Sequence, residues 1–332
     1  MTSSSTTRFG VIGTGGIASV MTSDIALLPD VEVVAVGSRS AASAERFAGA
    51  HGVPRAHGSY ADLVADPDVD AVYVATPHPG HLDAALLAIE AGKAVLIEKP
   101  FTMNAAQARE IVDAARARGV FCMEAMWTRF LPHVLRIREL VAAGALGEIT
   151  TVTADHDQWF AFDPEHRLFS PELGGGALLD LGVYPVSFAS MLLGTPSQVT
   201  ARADFGPTGV DAQTSMIFEY ASGAHAVLST TMRAAGPCQA AIVGTEGRIE
   251  IDTTWYAPTS FVFRPRVGEP EVWTEEPAPD EHKGLRFEAA EVARCLREGL
   301  TESPAMPLDE TVAIMETLDQ VRDQIGLTYP GL

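Results

Sequence analysis

The sequence predicts two domains: an N-terminal doubly wound parallel α/β sheet, followed by an α+β domain on an open, largely antiparallel sheet. A length of 332 residues suits two ordinary cores better than one. From Arg8 to about residue 150, short β-branched runs alternate with longer helical stretches. After Gly147, strand-like runs follow one another with few helices between them. We expect a disordered segment at 1–7, a first domain at 8–125 and a second at 126–332, with the C-terminal helices packing back on the first.

Five runs predict the strands of the first domain: 9–12, 31–36, 71–75, 94–97 and 120–123. Helices are expected between them, at 41–51 and 81–91 among others. A further helix follows Pro100, because Asn104 is a suitable N-cap and Gly119 a suitable terminator. Connections of this kind are right-handed crossovers, and ligands bind outside the carboxyl ends of the strands.

The second domain is expected to hold strands at 149–153, 199–203, 214–220, 224–231, 239–243 and 248–251. The segment 264–283 is rich in Pro and Glu and predicts a loop, and two amphipathic helices are expected at 285–299 and 308–325. With few helices to cover the sheet, a second copy of the chain is the natural cover for one face. We therefore expect a homodimer or homotetramer formed through this sheet.

Composition excludes several functions. A formal net charge of −20 argues against a nucleic-acid partner, which requires a basic surface. The chain shows neither an apolar run of membrane-spanning length nor a basic, apolar leader, which predicts a cytoplasmic protein without membrane contact. The three cysteines are scattered and odd in number, so they predict reduced thiols and no metal site.

An apolar strand runs directly into the glycine turn Gly13-x-Gly15-x-x-Ala18. Gly13 permits the sharp bend, Gly15 leaves room for a pyrophosphate, and Ala18 lets the next helix pack closely. Gly16 and Ile17 complete the turn, and the phosphates are expected at the N-terminus of the helix. In this context of strand, turn and helix, the pattern indicates a dinucleotide-binding Rossmann domain.

The end of the second strand predicts which nicotinamide cofactor is preferred. NAD-binding domains place a carboxylate there, whereas this chain has Gly37-Ser38-Arg39-Ser40. Glu32 lies at the wrong end of the strand. Ser38 and Arg39 offer a hydroxyl and a forked cation suited to a 2′-phosphate, so NADP(H) is favoured over NAD(H), unless Arg39 is merely a solvated surface residue.

Two segments carry candidate chemistry. Lys99, in Glu98-Lys99-Pro100, follows a parallel strand, where an ammonium can bind a substrate oxygen; the alternative is an exposed strand end. The second segment is Gly174-Gly-Gly-x-x-x-Asp180-x-x-x-Tyr184. On a helix Asp180 and Tyr184 share a face, although Pro185 predicts a kink or a restarted helix there. Asp180 could equally be a cap or a satisfied core carboxylate.

Other residues are candidates by type. His78 and His81 suit turn and cap hydrogen bonding near the nucleotide better than metal ligation. The following aromatic and cationic residues could line a pocket for a ring-shaped substrate, although aromatic residues are more often core: Trp127, Arg129, Phe130, Trp159 and Phe160.

Together these motifs resemble the glucose-fructose oxidoreductase and inositol dehydrogenase (Gfo/Idh/MocA) family over nearly the whole chain. With tyrosine at 184, the chain is similar to the branch of dihydrodiol dehydrogenases, NADP-dependent xylose dehydrogenases and sugar 3-ketoreductases. The resemblance implies that Lys99 and Tyr184 form an acid/base pair, with Asp180 beside the reacting hydroxyl. It also implies a set of residues around the cofactor: Thr76, Pro77, His78, His81, Glu98, Lys99 and Arg167.

The leading hypothesis is an NADP(H)-dependent oxidoreductase that acts on a secondary alcohol or carbonyl of a sugar, sugar derivative or cyclic diol. A second hypothesis is an enzyme that retains and recycles its nicotinamide cofactor within each turnover. A third is a non-catalytic nucleotide sensor on the same fold. The presence of Lys99, Asp180 and Tyr184 together argues against a sensor.

Overall fold

The computed structural model describes residues 6–274 and 284–332, in two compact units. Unit 1 takes in residues 6–102, 106–127 and 284–311, and unit 2 takes in 103–105, 128–274 and 312–332. Of the segment 1–7, where disorder is expected, residues 1–5 lie outside the described residues and Thr7 begins a strand. The part of the expected loop at 275–283 also lies outside them.

Unit 1 is built on a six-stranded parallel sheet. Its strands are β1 (Thr7–Ile12), β2 (Val31–Gly37), β3 (Arg55–His57), β4 (Ala71–Val74), β5 (Ala94–Glu98) and β6 (Cys122–Ala125). They lie in the order β3-β2-β1-β4-β5-β6. Successive strands from β1 to β3 are added toward one edge of the sheet and those from β4 to β6 toward the other, so the order of addition shows a reversal between β1 and β4. Crevices for ligands form at such a reversal, beyond the carboxyl ends of the strands.

Five helices connect these strands: α1 (Gly16–Ile25), α2 (Ala41–His51), α3 (Tyr60–Val64), α4 (His81–Glu90) and α5 (Ala105–Arg118). Gly119 follows α5 with a φ of 63°, as expected of a helix-terminating glycine. The sequence analysis did not identify β3 or α3. Both are very short, so they carry too few residues to show a period.

Unit 2 contains α6 (Pro132–Ala142), β7 (Ile149–Asp157) and α7 (Val183–Leu193), followed by a run of strands. These are β8 (Gln198–Phe205), β9 (Asp211–Glu219), β10 (His225–Thr231), β11 (Ala240–Gly244), β12 (Gly247–Ile251), β13 (Phe261–Pro265) and β14 (Glu271–Trp273). The eight strands form one sheet in the order β14-β13-β12-β11-β7-β10-β9-β8. Every neighbouring pair is antiparallel except β7 with β10, which confirms the predicted, largely antiparallel sheet.

The predicted loop at 264–283 was wrong in part, because the short strand β14 falls within it. Val262 and Phe261 of β13 pair with Val272 and Trp273 of β14, and the rings of Phe261 and Trp273 stack 5.5 Å apart. Three residues between prolines and acidic side chains do not predict a strand. Pairing to a neighbour decides their conformation.

Two helices close the chain, α8 (Arg286–Glu298) and α9 (Leu308–Ile325). Within unit 1, α8 packs against α1 and β2. It buries Glu288 completely, with neither carboxylate oxygen hydrogen-bonded within the described part of the chain. Burial, together with the negative charges of Glu98, Asp24 and Glu124, raises the pKa of Glu288 well above its usual range.

We predict that Glu288→Gln makes the protein more stable than the wild type and that this difference in stability increases with pH. An acid with a raised pKa in the folded state makes the native protein bind more protons than the unfolded chain, so its contribution falls as pH increases above the unfolded pKa of about 4.3. The melting temperature of Glu288→Gln should exceed that of the wild type by a few degrees at pH 8, and by less at pH 5. The control is Glu32→Gln, on an exposed position of β2. Equal shifts at both pH values in Glu288→Gln would contradict this account.

Candidate active site

The glycine turn after β1 forms an open backbone cradle. Gly13 has a φ of 108°, and a Cβ atom there would lie 2.5 Å from the carbonyl oxygen of Ala75, so only glycine fits. At Gly15 and Gly16, by contrast, a Cβ atom would meet no protein atom within 4 Å. No side chain caps the N-terminus of α1. Backbone N–H groups therefore face open space, as a bound pyrophosphate requires.

Ser38 and Arg39 follow β2 beside this cradle, since the N–H of Gly13 donates to the carbonyl of Gly37 (3.0 Å). Arg39 is exposed. Glu32 lies at the amino end of β2, paired with Arg8 at the start of β1, so it stands at the opposite edge of the sheet. The position where a ribose-binding carboxylate would lie is occupied by a hydroxyl and a guanidinium.

His81 joins two loops at the carboxyl edge of the sheet. Its Nδ1 lies 2.9 Å from the carbonyl oxygen of Pro100, and its Nε2 lies 3.0 Å from that of Thr76. The imidazole is fully buried, and burial, followed by the charge of His78, lowers the pKa of His81 to about 4. Both neighbours are carbonyl oxygens, so the neutral imidazole donates its one N–H to one of them at a time. The ring lies between the Thr76–Pro77–His78 loop and the loop that bears Lys99.

Lys99 is half-buried directly after β5 and is joined to Pro100 by a cis peptide bond. The preceding Glu98 is buried and accepts hydrogen bonds from the Tyr73 hydroxyl and from the backbone N–H of Lys99 (3.1 Å). Thr76 Oγ1, after the neighbouring strand β4, is a buried hydroxyl without a hydrogen-bond partner among the described residues. A ligand that offers a polar group at this edge would satisfy it.

The glycine triplet at 174–176 in unit 2 permits contacts that a side chain would block. A Cβ atom on Gly175 would lie 2.6 Å from the carbonyl oxygen of Arg167, and one on Gly176 would lie 2.3 Å from Asp211 Oδ1. Gly174 and Gly176 also have φ values of 69° and 119°. Gly175 and Gly176 therefore allow the protein's own backbone and the Asp211 carboxylate to approach this turn closely.

Asp180 and Tyr184 lie on one helical segment that begins with a π-helical turn, Leu178–Gly182, and continues as α7. Pro185 is the third residue of α7, so the expected irregularity takes the form of a wide turn just before the proline. Asp180 is buried and forms an ion pair with Arg167, whose Nη1 lies 2.8 Å from Oδ1. Arg167 is about half exposed.

The ring of Tyr184 is 7% exposed and packs against a polar aromatic cluster. The His156 ring meets it edge-on at 4.8 Å, and Tyr256 stacks on His156 at 3.8 Å. Gln158 Nε2 lies 2.8 Å from His156 Nε2 and 3.0 Å from the Tyr256 hydroxyl. The sequence analysis missed this cluster. One signal was present, since His156 occupies an inward position in the alternating burial of β7, where apolar residues are usual.

The five residues predicted to line a substrate pocket differ widely in burial and in the groups that they contact. Arg129 differs most from that expectation, because it is 2% exposed and donates to the Ser187 hydroxyl (3.0 Å) and carbonyl (2.8 Å) of α7. Phe130 is buried, and Phe160 packs against a small core cluster around Leu168. Trp159 is 64% exposed, and Trp127, in unit 1, is 9% exposed.

Within residues 6–274 and 284–332, no three His, Cys, Asp or Glu side chains are grouped as metal ligands would be. In the same residues, one helical stretch, Pro171–Leu193, is long and apolar enough to cross a membrane by length and composition alone. Most of it is buried inside the protein, as in a core helix.

Comparison with known families places both parts of the chain. Residues 7–126 match the oxidoreductase family with an NAD-binding Rossmann fold, and residues 134–250 match the GFO/IDH/MocA C-terminal domain. The trans-1,2-dihydrobenzene-1,2-diol dehydrogenase of Xenopus laevis is 41% identical over 330 residues, covering 98% of this chain and 99% of that protein. The human enzyme of the same name is 37% identical over 332 residues, covering 97% and 98%.

A solved structure of similar fold is a 3-ketoreductase from Actinomadura kijaniata in complex with NADP and TDP-benzene. It has a TM-score of 0.84 and 27% identity, and the match covers 96% of this chain and 98% of that one. An aldose-aldose oxidoreductase from Caulobacter crescentus has a TM-score of 0.84 at 24% identity over 96% and 97% of the two chains, a likeness of fold.

Proposed function

We propose that this chain, which belongs to the GFO/IDH/MocA family and is an NAD(P)-dependent oxidoreductase, uses NADP(H) as its cofactor. Its proposed substrate is a sugar, a sugar derivative or a cyclic diol. The observation that carries the proposal is Lys99 at the carboxyl end of β5, in the same sheet edge as the open glycine cradle. Relatives that act on a dihydrobenzene diol or a keto group support a secondary alcohol or carbonyl as the reacting group.

The cradle fits a dinucleotide. Gly15 and Gly16 leave room for the pyrophosphate, and the uncapped start of α1 supplies N–H donors and the positive end of a helix dipole. In a protein with a net charge of −20, this local supply of donors matters, because the surrounding field repels a polyanion. Thr76 and His78, which follow β4, and Glu98, the last residue of β5, would meet the nicotinamide half.

Ser38 and Arg39 would hold the 2′-phosphate. A guanidinium binds phosphate oxygens through two parallel N–H donors, and no carboxylate stands at positions 37–40 to favour an unphosphorylated ribose. The A. kijaniata relative was solved with NADP, which agrees with this preference.

In the proposed reaction, hydride passes between the nicotinamide and the carbon that bears the reacting oxygen. Tyr184 would give its phenolic proton to that oxygen during reduction and remove it during oxidation. A free phenol has a pKa of about 10 and is a poor base at neutral pH, so a nearby ammonium is needed to favour the phenolate. Lys99 would supply that charge and hold the substrate oxygen.

Asp180 would orient the substrate hydroxyl beside Tyr184. Its ion pair with Arg167, which donates to Oδ1 (2.8 Å) and Oδ2 (3.5 Å), fixes the direction of the buried carboxylate. A partly exposed arginine at this position also brings a positive charge that an acidic protein needs for an anionic cofactor.

We propose that the protein is cytoplasmic, and its three free, buried thiols suit a reducing compartment. We also propose that it is a homo-oligomer through the sheet of unit 2. Ile217 of β9 and Val227 of β10 are paired across the two strands, so both point to the same face, where each is nearly half exposed. A second copy of the chain would cover them.

We predict that Lys99→Ala and Tyr184→Phe each lower kcat by about 100-fold or more, because each removes a group needed to move or stabilise the proton. Nicotinamide absorbance, measured with a panel of aldoses, keto-sugars and cyclic diols, checks this. Tyr184→Phe should leave NADPH affinity nearly unchanged. The matched control is Tyr220→Phe, which removes a buried hydroxyl that lacks a hydrogen-bond partner within the described residues. Full activity in Tyr184→Phe would refute its acid/base role.

Arg39→Ala should weaken binding of NADP about tenfold or more and that of NAD hardly at all, since only NADP carries the phosphate that the guanidinium would hold. Fluorescence titration with both nucleotides measures the two dissociation constants. Arg46→Ala is the control, because Arg46 is an exposed arginine of the next helix. An equal loss for both nucleotides would remove the assignment of Arg39.

Light scattering should give a mass of at least two chains. The double variant Ile217→Asp with Val227→Asp should shift it toward one chain, because burying two carboxylates in an apolar contact is unfavourable. Val267→Asp, at an exposed valine outside the strands, should leave the mass unchanged. A single-chain mass for the wild type would contradict the proposal.

A further inference from the structure

Asp211 is a fully buried carboxylate at the start of β9, outside the set of residues given a chemical role above. One of its oxygens, Oδ2, accepts hydrogen bonds from the backbone N–H of Leu178 (2.8 Å) and from the Thr214 hydroxyl (2.7 Å). Leu178 is the first residue of the π-helical turn that carries Asp180. Asp211 thus binds the beginning of the helical segment that continues to Tyr184.

We propose that Asp211 is a positioning residue for the reaction, holding the helical segment 178–193 so that Asp180 and Tyr184 keep their places. This inference rests on the function proposed for Tyr184. A carboxylate at a helix N-terminus satisfies N–H groups that would otherwise lack partners and interacts favourably with the helix dipole. No side chain within the segment itself caps it.

The neighbouring glycine shows that the carboxylate is seated closely. A Cβ atom on Gly176 would lie 2.3 Å from Asp211 Oδ1, so any other residue would push the carboxylate away from Leu178. Tyr329, from the C-terminal end, donates its hydroxyl to the carbonyl of Gly175 (2.7 Å) and fixes the same turn from another side. Asp211 and Tyr329 therefore hold the backbone of this turn from two sides.

The energetic reason for keeping a carboxylate at this buried place is its set of donors. Burial outweighs the other influences and leaves the pKa of Asp211 raised to about 6, although the Thr214 hydroxyl and the N–H groups of Leu178 and Ala177 act in the opposite direction by stabilising the charged form. A neutral amide at position 211 would keep an acceptor oxygen in place but lose the charge, so its bonds to the segment would be weaker.

The test is a double-mutant cycle of Asp211→Asn and Tyr184→Phe, assayed for kcat, KM and NADPH affinity. Displacing a reacting group by about 1 Å can lower turnover 100-fold, so a loosened anchor should lower it by about tenfold. In an otherwise wild-type enzyme we expect that loss in kcat, with KM and NADPH affinity within about twofold. In the Tyr184→Phe background the same substitution should cost clearly less than tenfold, because the phenol is already gone and only Asp180 remains to be displaced.

Asp70→Asn is the matched control. It removes the charge from another hydrogen-bonded carboxylate, which binds Arg8 before β4 at the amino edge of the unit 1 sheet. It should lower the melting temperature without changing kcat. Unchanged kcat in Asp211→Asn would overturn the proposal, and so would a tenfold loss that persists in full in the Tyr184→Phe background.

Failure of the parent hypothesis has a different signature, because Tyr184→Phe alone would then be fully active. If Asp211→Asn does not fold, Thr214→Val removes one hydrogen bond to Asp211 and leaves the carboxylate in place. A loss in kcat of about threefold that becomes smaller in the Tyr184→Phe background supports the inference, and an unchanged kcat overturns it.

Discussion

The glycine turn of unit 1 and the helical segment of unit 2 that bears Asp180 and Tyr184 each depend on backbone contacts too close for a Cβ atom. In unit 1, Gly13 lies against the carbonyl of Ala75 and sets the bend into α1. In unit 2, Gly175 and Gly176 lie against Arg167 and Asp211 and set the start of the segment that bears Asp180 and Tyr184. At these positions any residue other than glycine would clash with neighbouring atoms, so the backbone conformation depends on glycine. The polar groups of each site are held by geometry fixed before any ligand arrives, and preorganisation of this kind is a large part of catalytic power.

Much of the fold could be predicted, because long elements show their period. The helix at 308–325 was predicted with its observed bounds, and β2 and β5 to within one residue, from apolar spacing and flanking glycines. The three-residue strands could not be predicted. β3 and β14 exist because a neighbouring strand offers hydrogen bonds, and that information lies elsewhere in the chain. The wide turn before Pro185 is similar, since the sequence predicts an irregularity and only packing selects its form.

Residue type and motif position indicated Lys99, Asp180 and Tyr184, but residue type alone did not indicate the environments of the residues predicted to line a pocket. Arg129 has the chemistry of a ligand-binding residue, yet its guanidinium is buried against Ser187. His156, Tyr256 and Asp211 were not singled out, because a histidine in a strand and an aspartate after a turn are ordinary in sequence. Their contacts to Tyr184 and to Leu178 join positions far apart in the chain, which a linear pattern does not show.

The one parallel pair in the second sheet, β7 with β10, has a consequence for how the protein is made. β7 lies in the interior of the sheet and leaves the ribosome first among its strands, yet its two neighbours are β10 and β11, which come much later. Both edges of this strand remain without hydrogen-bond partners while the intervening chain is synthesised, and open edges of this kind attract other nascent strands. The sheet can therefore close around β7 only after both β10 and β11 have been synthesised.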